Sequence, residues 1–381
     1  MPADVKSAIR QRIEASSDVL IELSHRIHAN PEIAFEEVKA SGWLAGELDE
    51  AGFQVETTAR GLPTAFEAKA GSGPTQVVIC AEYDALPGIG HACGHNIIGA
   101  TAVGAAIGLR ARLDDLGLTL RVVGTPAEEI GDGGGKILML ERGAFEGAHA
   151  AMMVHPGPRD VLAGTMIAVA TFEVTYTGRE SHAAAYPELG INALDALTVA
   201  QVGIGLLRQH IRPTDRIHGV VTHGGSAPNV VPALATARFM VRARSLEELD
   251  EIRERVWHCF EAGALATGAQ LALAGGTKPY AEVHHNKRMA RLFDQNWRAL
   301  GRSFPPPRDR RPAASTDMGN VSRVVPTIHP LLGIGAPPGV VNHQPGFAAQ
   351  CASPVADRTL LDGAVAMAWT AVDLGLAGTA P

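Results

Sequence analysis

Four short segments of this 381-residue chain concentrate side chains able to ligate a metal or move a proton. The first, GIGHACGHN at 88–96, sets His91, Cys93 and His95 among glycines. Residues two apart on a helix point to nearly opposite sides. In a tight turn they converge, and Gly88, Gly90 and Gly94 favour a turn because glycine reaches backbone conformations other residues avoid. The second, GTPAEEIG, places Glu128 and Glu129 just past a predicted strand. Adjacent residues on extended chain point opposite ways, so one carboxylate could hold a metal while its neighbour faces a substrate. The third and fourth, AMMVHPGP and GVVNHQPGF, put His155 at the end of an apolar strand and His343 in a loop after the last predicted strand. Each has a plain structural reading when taken alone: a buried thiol, a capping histidine, two solvated glutamates, a rim histidine. Taken together they offer a thiolate, imidazoles and carboxylates, a donor set suited to two zinc-like transition metals.

Other chemistries fit less of the pattern. GDGGGK (131–136) is one residue short of the phosphate-binding loop and continues with Ile137 rather than Ser or Thr. GIGHACG is one residue too long for the dinucleotide fingerprint, and no acidic residue ends the next strand, LTLRVVG. No H-x-E with a partnering P-C-x-x-C occurs, which disfavours a zinc deaminase. A Cys93 nucleophile with a histidine base leaves the glutamate pair and the distant histidines unexplained.

These residues need a scaffold that brings strand ends together. In the first third, helical patterns (5–24, and AFEEVKASGWLAGELDEAG) precede strands FQVETT, TAFEAKA and TQVVICAEY. A small-residue helix (NIIGATAVGAAIGLRARLDDLG), strand LTLRVVGT, helix GGKILMLERGAF and strand AHAAMMVHP follow. Strands alternating with helices predict an α/β fold, a mostly parallel mixed sheet with helices on both faces. Such sheets build their sites at the carboxyl ends of the strands. Residues 166–278 read instead as β-α-β-β-α-β, the split βαβ pattern of a compact α+β unit. The simplest organisation is a catalytic domain (1–165 and 279–381) interrupted by a smaller domain (166–278). NKRMARLFDQNWRALG then resumes helix and SRVVPTIHPLLGIG resumes strand, with SFPPPRDRRP a Pro- and Arg-rich loop between them.

The formal charge of −7, from 33 basic and 40 acidic residues, argues against nucleic acid or an anionic membrane as the main partner. No apolar signal core opens the chain, no apolar run reaches spanning length, and the four cysteines are irregularly spaced. A reduced, cytoplasmic enzyme is the expectation.

At this point the chain resembles the dinuclear metallo-aminoacylases and carboxypeptidases of metallopeptidase family twenty. The likeness is to the amidohydrolase branch that includes hippurate and auxin-conjugate hydrolases. It rests on HRIHANPEIAFEE, AEYDALPGIGHACGHN, GTPAEEIGDGGGK, HPGP, SHAAAYPELGINALDA, APNVVP, MVRA, STDMGNVS and NHQPGF, spread over nearly the whole chain. The AEYDALPGIGHACGHN form looks closest to the subgroup with β-alanyl-lysine-type dipeptidases and p-aminobenzoyl-glutamate hydrolases.

The resemblance implies two divalent ions per subunit, Zn²⁺ or Mn²⁺, held by Cys93, His95, Glu129, His155 and His343. It implies Glu128 as general base, Asp84 as the acid that orients a ligand, and His182 as a lid histidine reaching into the partner subunit's site. Asn229 and Arg242 match lid residues that grip the substrate's acyl or carboxylate end. The expected substrate is an N-acyl amino acid or dipeptide, cleaved at its amide bond by a homodimer joined through the lid. A catalytically silent metal-binding or regulatory protein on the same scaffold is the alternative. His91, His223 and Asp317 are read as lining or orienting residues, and His329 as structural. Two positions depart from common relatives, which carry Asp where this chain has Glu82 and Asp where it has Asn96; both are expected beside the metals.

Overall fold

A computed structural model of the chain describes residues 2–306 and 314–378, so the expected loop at 303–312 lies largely outside the described residues. Its main sheet has six strands in the spatial order Gln54–Thr57, Phe66–Ala70, Leu118–Gly124, Thr75–Ala81, Ala150–Met152, Thr327–Ile328. The first two run antiparallel at one edge, and the other four are mutually parallel. Leu118–Gly124 is buried along its whole length and Thr75–Ala81 at all but Gln76, as a parallel sheet covered on both faces requires. Alternate residues serve opposite layers. Val77, Ile79 and Ala81 pack with the helices His95–Leu109 and Pro354–Leu376, whereas Val78 and Cys80 face Met139, Met318 and Val321. The helix His95–Leu109 is buried at every residue, which is why its sequence is apolar all round.

Residues 168–275 form a second sheet, all antiparallel, in the order Gln270–Gly275, Ala168–Thr177, Leu234–Ala243, Arg216–His223. The helices Ala193–Leu207 and Leu246–Thr267 contribute to its core, where Phe239 and Phe260 meet edge to face at 5.0 Å. The chain order is the expected β-α-β-β-α-β.

Six elements differ from the sequence reading. The first helix is two, Pro2–Ala15 and Ser17–Ala29. The second begins only at Val38, after a turn in which Phe35 takes φ 62°. AHAAMMVHP and SRVVPTIHPLLGIG each split in two: Ala150–Met152 pairs with Thr327–Ile328 in the main sheet, and His155–Gly157 pairs with Leu331–Gly333 in a separate ribbon. Pro330, which has no N–H to give a ladder, falls between the halves. Finally, Pro345–Gln350 and Pro354–Leu376 are helices the sequence reading did not assign. Ser353 followed by Pro354 was the available signal: its hydroxyl caps the helix by accepting from the Ala356 N–H at 3.2 Å, and proline suits the first helical position. Pro354–Leu376 is long and apolar enough to cross a membrane, but 78% of its most apolar window is buried inside the protein.

Candidate metal centre

The expected ligands leave the carboxyl ends of the parallel strands. Asp84 follows Thr75–Ala81, the glutamate pair follows Leu118–Gly124, and His155 follows Ala150–Met152. Between them the chain turns through Cys93 and Gly94 into the helix His95–Leu109. Gly94 has φ 81°, and an added Cβ would lie 2.8 Å from Pro156 Cγ and 3.2 Å from Cys351 Sγ. Both backbone shape and space therefore demand glycine, and this close approach lets Cys93 reach His155. His343, itself at φ 66°, is fixed by its N–H donating to the Ala92 carbonyl at 2.9 Å. Ala127 takes φ 58° just before the glutamates. The turn Glu128–Ile130 is a short 3-10 helix, not extended chain. The two carboxylates consequently do not face opposite ways: Glu128 Oε2 is 4.0 Å and Glu129 Oε1 3.9 Å from His95 Nε2.

Cys93, His95 and His155 offer one ligand atom each, all within 4.8 Å of one another, and so do Cys93, Glu129 and His343. Cys93 Sγ belongs to both groups, at 3.6 Å from His155 Nε2 and 3.5 Å from His343 Nε2. His343 Nε2 is 3.4 Å from Glu129 Oε2. Two donors roughly 2.0–2.3 Å from one tetrahedral ion stand about 3.3–3.8 Å apart, so these spacings suit ligands grouped around ions. His95 Nε2 and Glu129 Oε1 are buried without a hydrogen-bond partner among the described residues. Such orphaned donor atoms are costly unless something else satisfies them. The residues fit a pair of divalent ions, with Cys93 common to both donor groups.

His95 is oriented from behind. Its Nδ1 lies 2.9 Å from Asp84 Oδ1, while Asp84 Oδ2 accepts the Glu129 N–H at 2.9 Å. Such carboxylate–histidine support leaves Nε2 free to act as a ligand. Burial alone would push the Asp84 carboxyl up, but the His95 ring and the N–H groups of Glu129 and Glu128 hold it below its ordinary range. Burial likewise opposes charge on His95, and Asp84 and Glu82 outweigh it, pushing the ring's proton affinity up. Glu128 is pushed well up by burial and by the charges of Glu82 and Glu129. His155 is pushed down to about 4 by burial, which keeps its ring neutral.

Of the expected lid residues, only Arg242 approaches this cluster within one chain. It is half-buried, donates to Ser315 Oγ at 2.9 Å, and makes no ion pair among the described residues. Burial weakens its hold on the proton, and Glu128 is the charge that counters this. His182 is exposed, its Nδ1 accepting from the N–H groups of Ala184 and Ala185 at 3.3 and 3.2 Å. Asn229 is also exposed; its carbonyl accepts the Ala183 N–H at 2.9 Å. His91 is buried beside His28, and His329 is buried with its ring 5.4 Å from that of His155. His223 ends an exposed strand.

Asn96 does not line the donor groups. Its Nδ2 donates to Ser24 Oγ at 2.9 Å and to the Cys351 carbonyl at 3.1 Å, tying the helix start to the surrounding helices. Glu82 does approach the site, with Oε2 3.5 Å from His95 Nε2. Two residues the sequence reading gave no role support the centre. Lys136 is buried between Glu82 and Asp317. Glu37 accepts the Ala127 N–H at 2.8 Å and the Thr64 hydroxyl at 2.9 Å. Both lie in segments that carry the resemblance, GTPAEEIGDGGGK and HRIHANPEIAFEE.

Comparison with known proteins agrees with this architecture. The family described as the peptidase dimerisation domain matches residues 168–267. Xaa-Arg dipeptidase of Mus musculus is 39% identical over 97% of this chain and 89% of its own length. A p-aminobenzoyl-glutamate hydrolase chain of Escherichia coli (strain K12) is 34% identical over 68% of this chain and 58% of that protein. A Bacillus subtilis crystal structure described as a dinuclear metal binding peptidase shares the fold, with TM-score 0.68 and 22% identity over 94% of this chain and 98% of that one. With a curated relative this similar along nearly its whole length, the chain belongs to the M20 family of metallopeptidases and amidohydrolases.

Proposed function

We propose that this protein is a metal-dependent amidohydrolase that cleaves the amide bond of an N-acyl amino acid or dipeptide. The observation that carries the reading is the pair of donor groups joined at Cys93, with the Glu128 carboxylate beside them. Cys93, His95 and His155 would hold one ion and Cys93, Glu129 and His343 the other. Ions held there would polarise the scissile carbonyl and acidify the attacking water.

The chain's own groups supply the rest. Glu128 takes a proton from the attacking water and passes it to the departing amine nitrogen, so that acid and amine leave with atoms balanced. This role is worth roughly 10²–10⁴-fold. Asp84 holds His95 in the tautomer that presents Nε2. The planar fork of Arg242, half-buried without a carboxylate partner, binds the substrate's carboxylate bidentately.

His182 serves a second subunit as donor to the developing oxyanion, and Asn229 contributes to gripping the substrate there. Several observations support a homodimer built through residues 168–267. Among the described residues the edge strand Arg216–His223 leaves one side unpaired, with Val220 exposed. The helix Ala193–Leu207 exposes Val199, Val202 and Leu206, spaced along one face. Four free thiols support a reducing compartment, the cytoplasm. Zn²⁺ and Mn²⁺ both suit the mixed thiolate, imidazole and carboxylate donors.

The test is a panel of acyl-amino acids and dipeptides, including Xaa-Arg and p-aminobenzoyl-glutamate, on enzyme reconstituted with each metal. Release of amine by wild type, and its near-complete loss in Glu128→Gln at unchanged metal content, is the expected result. No amine release with any metal would favour the silent scaffold, and full activity in Glu128→Gln would remove the base assignment.

A further inference from the structure

Lys136 closes GDGGGK, a segment that resembles a phosphate loop but whose lysine has no access to solvent. Its ammonium bonds Glu82 and lies 2.6 Å from Asp317 Oδ1, while its backbone N–H donates to Asp317 Oδ2 at 2.9 Å. All three side chains are fully buried. Glu82, Glu128 and Asp317 each bring one oxygen within 4.8 Å of the others. Three buried carboxylates at such spacing are the donor set of an oxygen-ligated divalent ion, and here an ammonium sits among them.

The difference matters for Glu128. A divalent ion in that place would take all three carboxylates as ligands. The ammonium bonds Glu82 and Asp317, and among the described residues it makes no ion pair with Glu128. Glu82 has a second reason to need a tether. Its Oε2 has no hydrogen-bond partner among the described residues and lies 3.5 Å from His95 Nε2, nearer than either Glu128 or Glu129. Released at Oε1, it could swing onto the ligand side of His95.

We propose that Lys136 is a positioning residue whose ammonium stands where a third divalent ion would bind, tethering Glu82 and Asp317 and leaving Glu128 as the carboxylate free to move protons. This rests on the two-ion reading of the centre. It makes the lysine the group that limits the site to two ions, a role that a purely structural ion pair would not have.

Metal content after equilibration with Mn²⁺, a metal suited to carboxylate donors, tests the proposal by elemental analysis, alongside circular dichroism and steady-state kinetics. Wild type is expected to hold two ions per subunit and Lys136→Gln three. The variant's kcat should fall roughly tenfold or more, the cost of a misplaced reacting group, with KM changed by less than about threefold. Lys136→Arg, which keeps the charge, should hold two ions and recover most of kcat. A wild type without ions refutes the two-ion centre itself. Two ions in wild type and two in folded Lys136→Gln refute the role of Lys136 alone. Should Lys136→Gln not fold, the charge-balanced pair Lys136→Gln with Asp317→Asn takes its place. A fall in kcat at constant KM then supports an untethered Glu82, and wild-type kcat overturns the proposal.

Discussion

Glu37 is the most informative residue to perturb, because its charge state and its hydrogen bonds can be separated. It is fully buried, and its two oxygens accept from the Ala127 N–H and the Thr64 hydroxyl. Burial, then the charge of Asp84, pushes its pKa up from 4.5 to about 7. At about 1.4 kcal/mol for each tenfold change in proton affinity, that rise corresponds to roughly 3 kcal/mol. The sign follows from proton binding. Between pH 4.5 and 7 the folded state holds a proton on Glu37 that the unfolded chain has released, so stability falls as pH rises through that window. Below 4.5 both states are protonated and nothing is lost; above 7 the whole penalty applies. Glu37→Gln keeps the shape and an oxygen for the Ala127 N–H but cannot ionise. Its stability relative to wild type should therefore rise by roughly 2–3 kcal/mol between about pH 5 and pH 8.5. Urea unfolding of both proteins at several pH values measures this, and taking the difference cancels groups that titrate in both. Glu37→Ala is the contrasting arm. It orphans the Ala127 N–H at a cost of about 1–3 kcal/mol, and should lower kcat by loosening the φ 58° turn that aims Glu128. A wild-type-minus-Gln difference that stays flat across this range would refute the reasoning.

Two further outcomes bear on the lid. Arg242→Lys should lower kcat/KM by roughly 10–100-fold on substrates with a free carboxylate, because an ammonium cannot reproduce the bidentate fork; equal losses on the carboxamide analogue would count against carboxylate binding. Mixing His182→Ala subunits with Glu128→Gln subunits should restore up to about a quarter of wild-type turnover, since half of randomly exchanged dimers carry one intact composite site. Absence of any recovery after verified exchange would place His182 outside its partner's site.

The donor residues were legible because their chemistry and their place at strand ends coincide in the sequence. Cys93, His95, Glu129, His155 and His343 each sit where a strand or turn ends, and the fold brings those ends together. What supports them was not legible in that way. Glu37 meets Ala127 across 90 residues of sequence, and no periodicity reports a contact of that range. Lys136 sits among glycines that look like a phosphate cradle, and only its burial between Glu82 and Asp317 gives it another reading. Asn96, a departure from the common relatives' Asp, is expected beside the metals on the strength of the resemblance. On a helix, successive side chains point about 100° apart, so it turns to Ser24 and the Cys351 carbonyl instead. Proline divided strands that apolar composition joined, and His155 consequently lies in its own two-stranded ribbon.

The charges at the centre explain why these supports are needed. Glu37, Glu82, Asp84, Glu128 and Asp317 are all buried, and Glu129 nearly so. Uncompensated, so many carboxylates in a low-dielectric interior would unfold the site or take up protons. The chain answers each differently. Glu37 tends toward its neutral form, Asp84 is hydrogen-bonded by the His95 ring and the Glu129 N–H, and Glu82 and Asp317 share one ammonium. Glu128 and Glu129 receive no ammonium or guanidinium ion pair among the described residues, and their close imidazoles are those of His95 and His343. Those two rings are themselves proposed ligands, and an imidazole ligating through Nε2 cannot at the same time be a cationic imidazolium. The compensation this pair lacks among the described side chains is what the positive charge of bound ions would supply. Glu128, the member of the pair proposed as base, has no cationic Lys or Arg partner among the described residues, so its carboxylate stays available to take and return a proton.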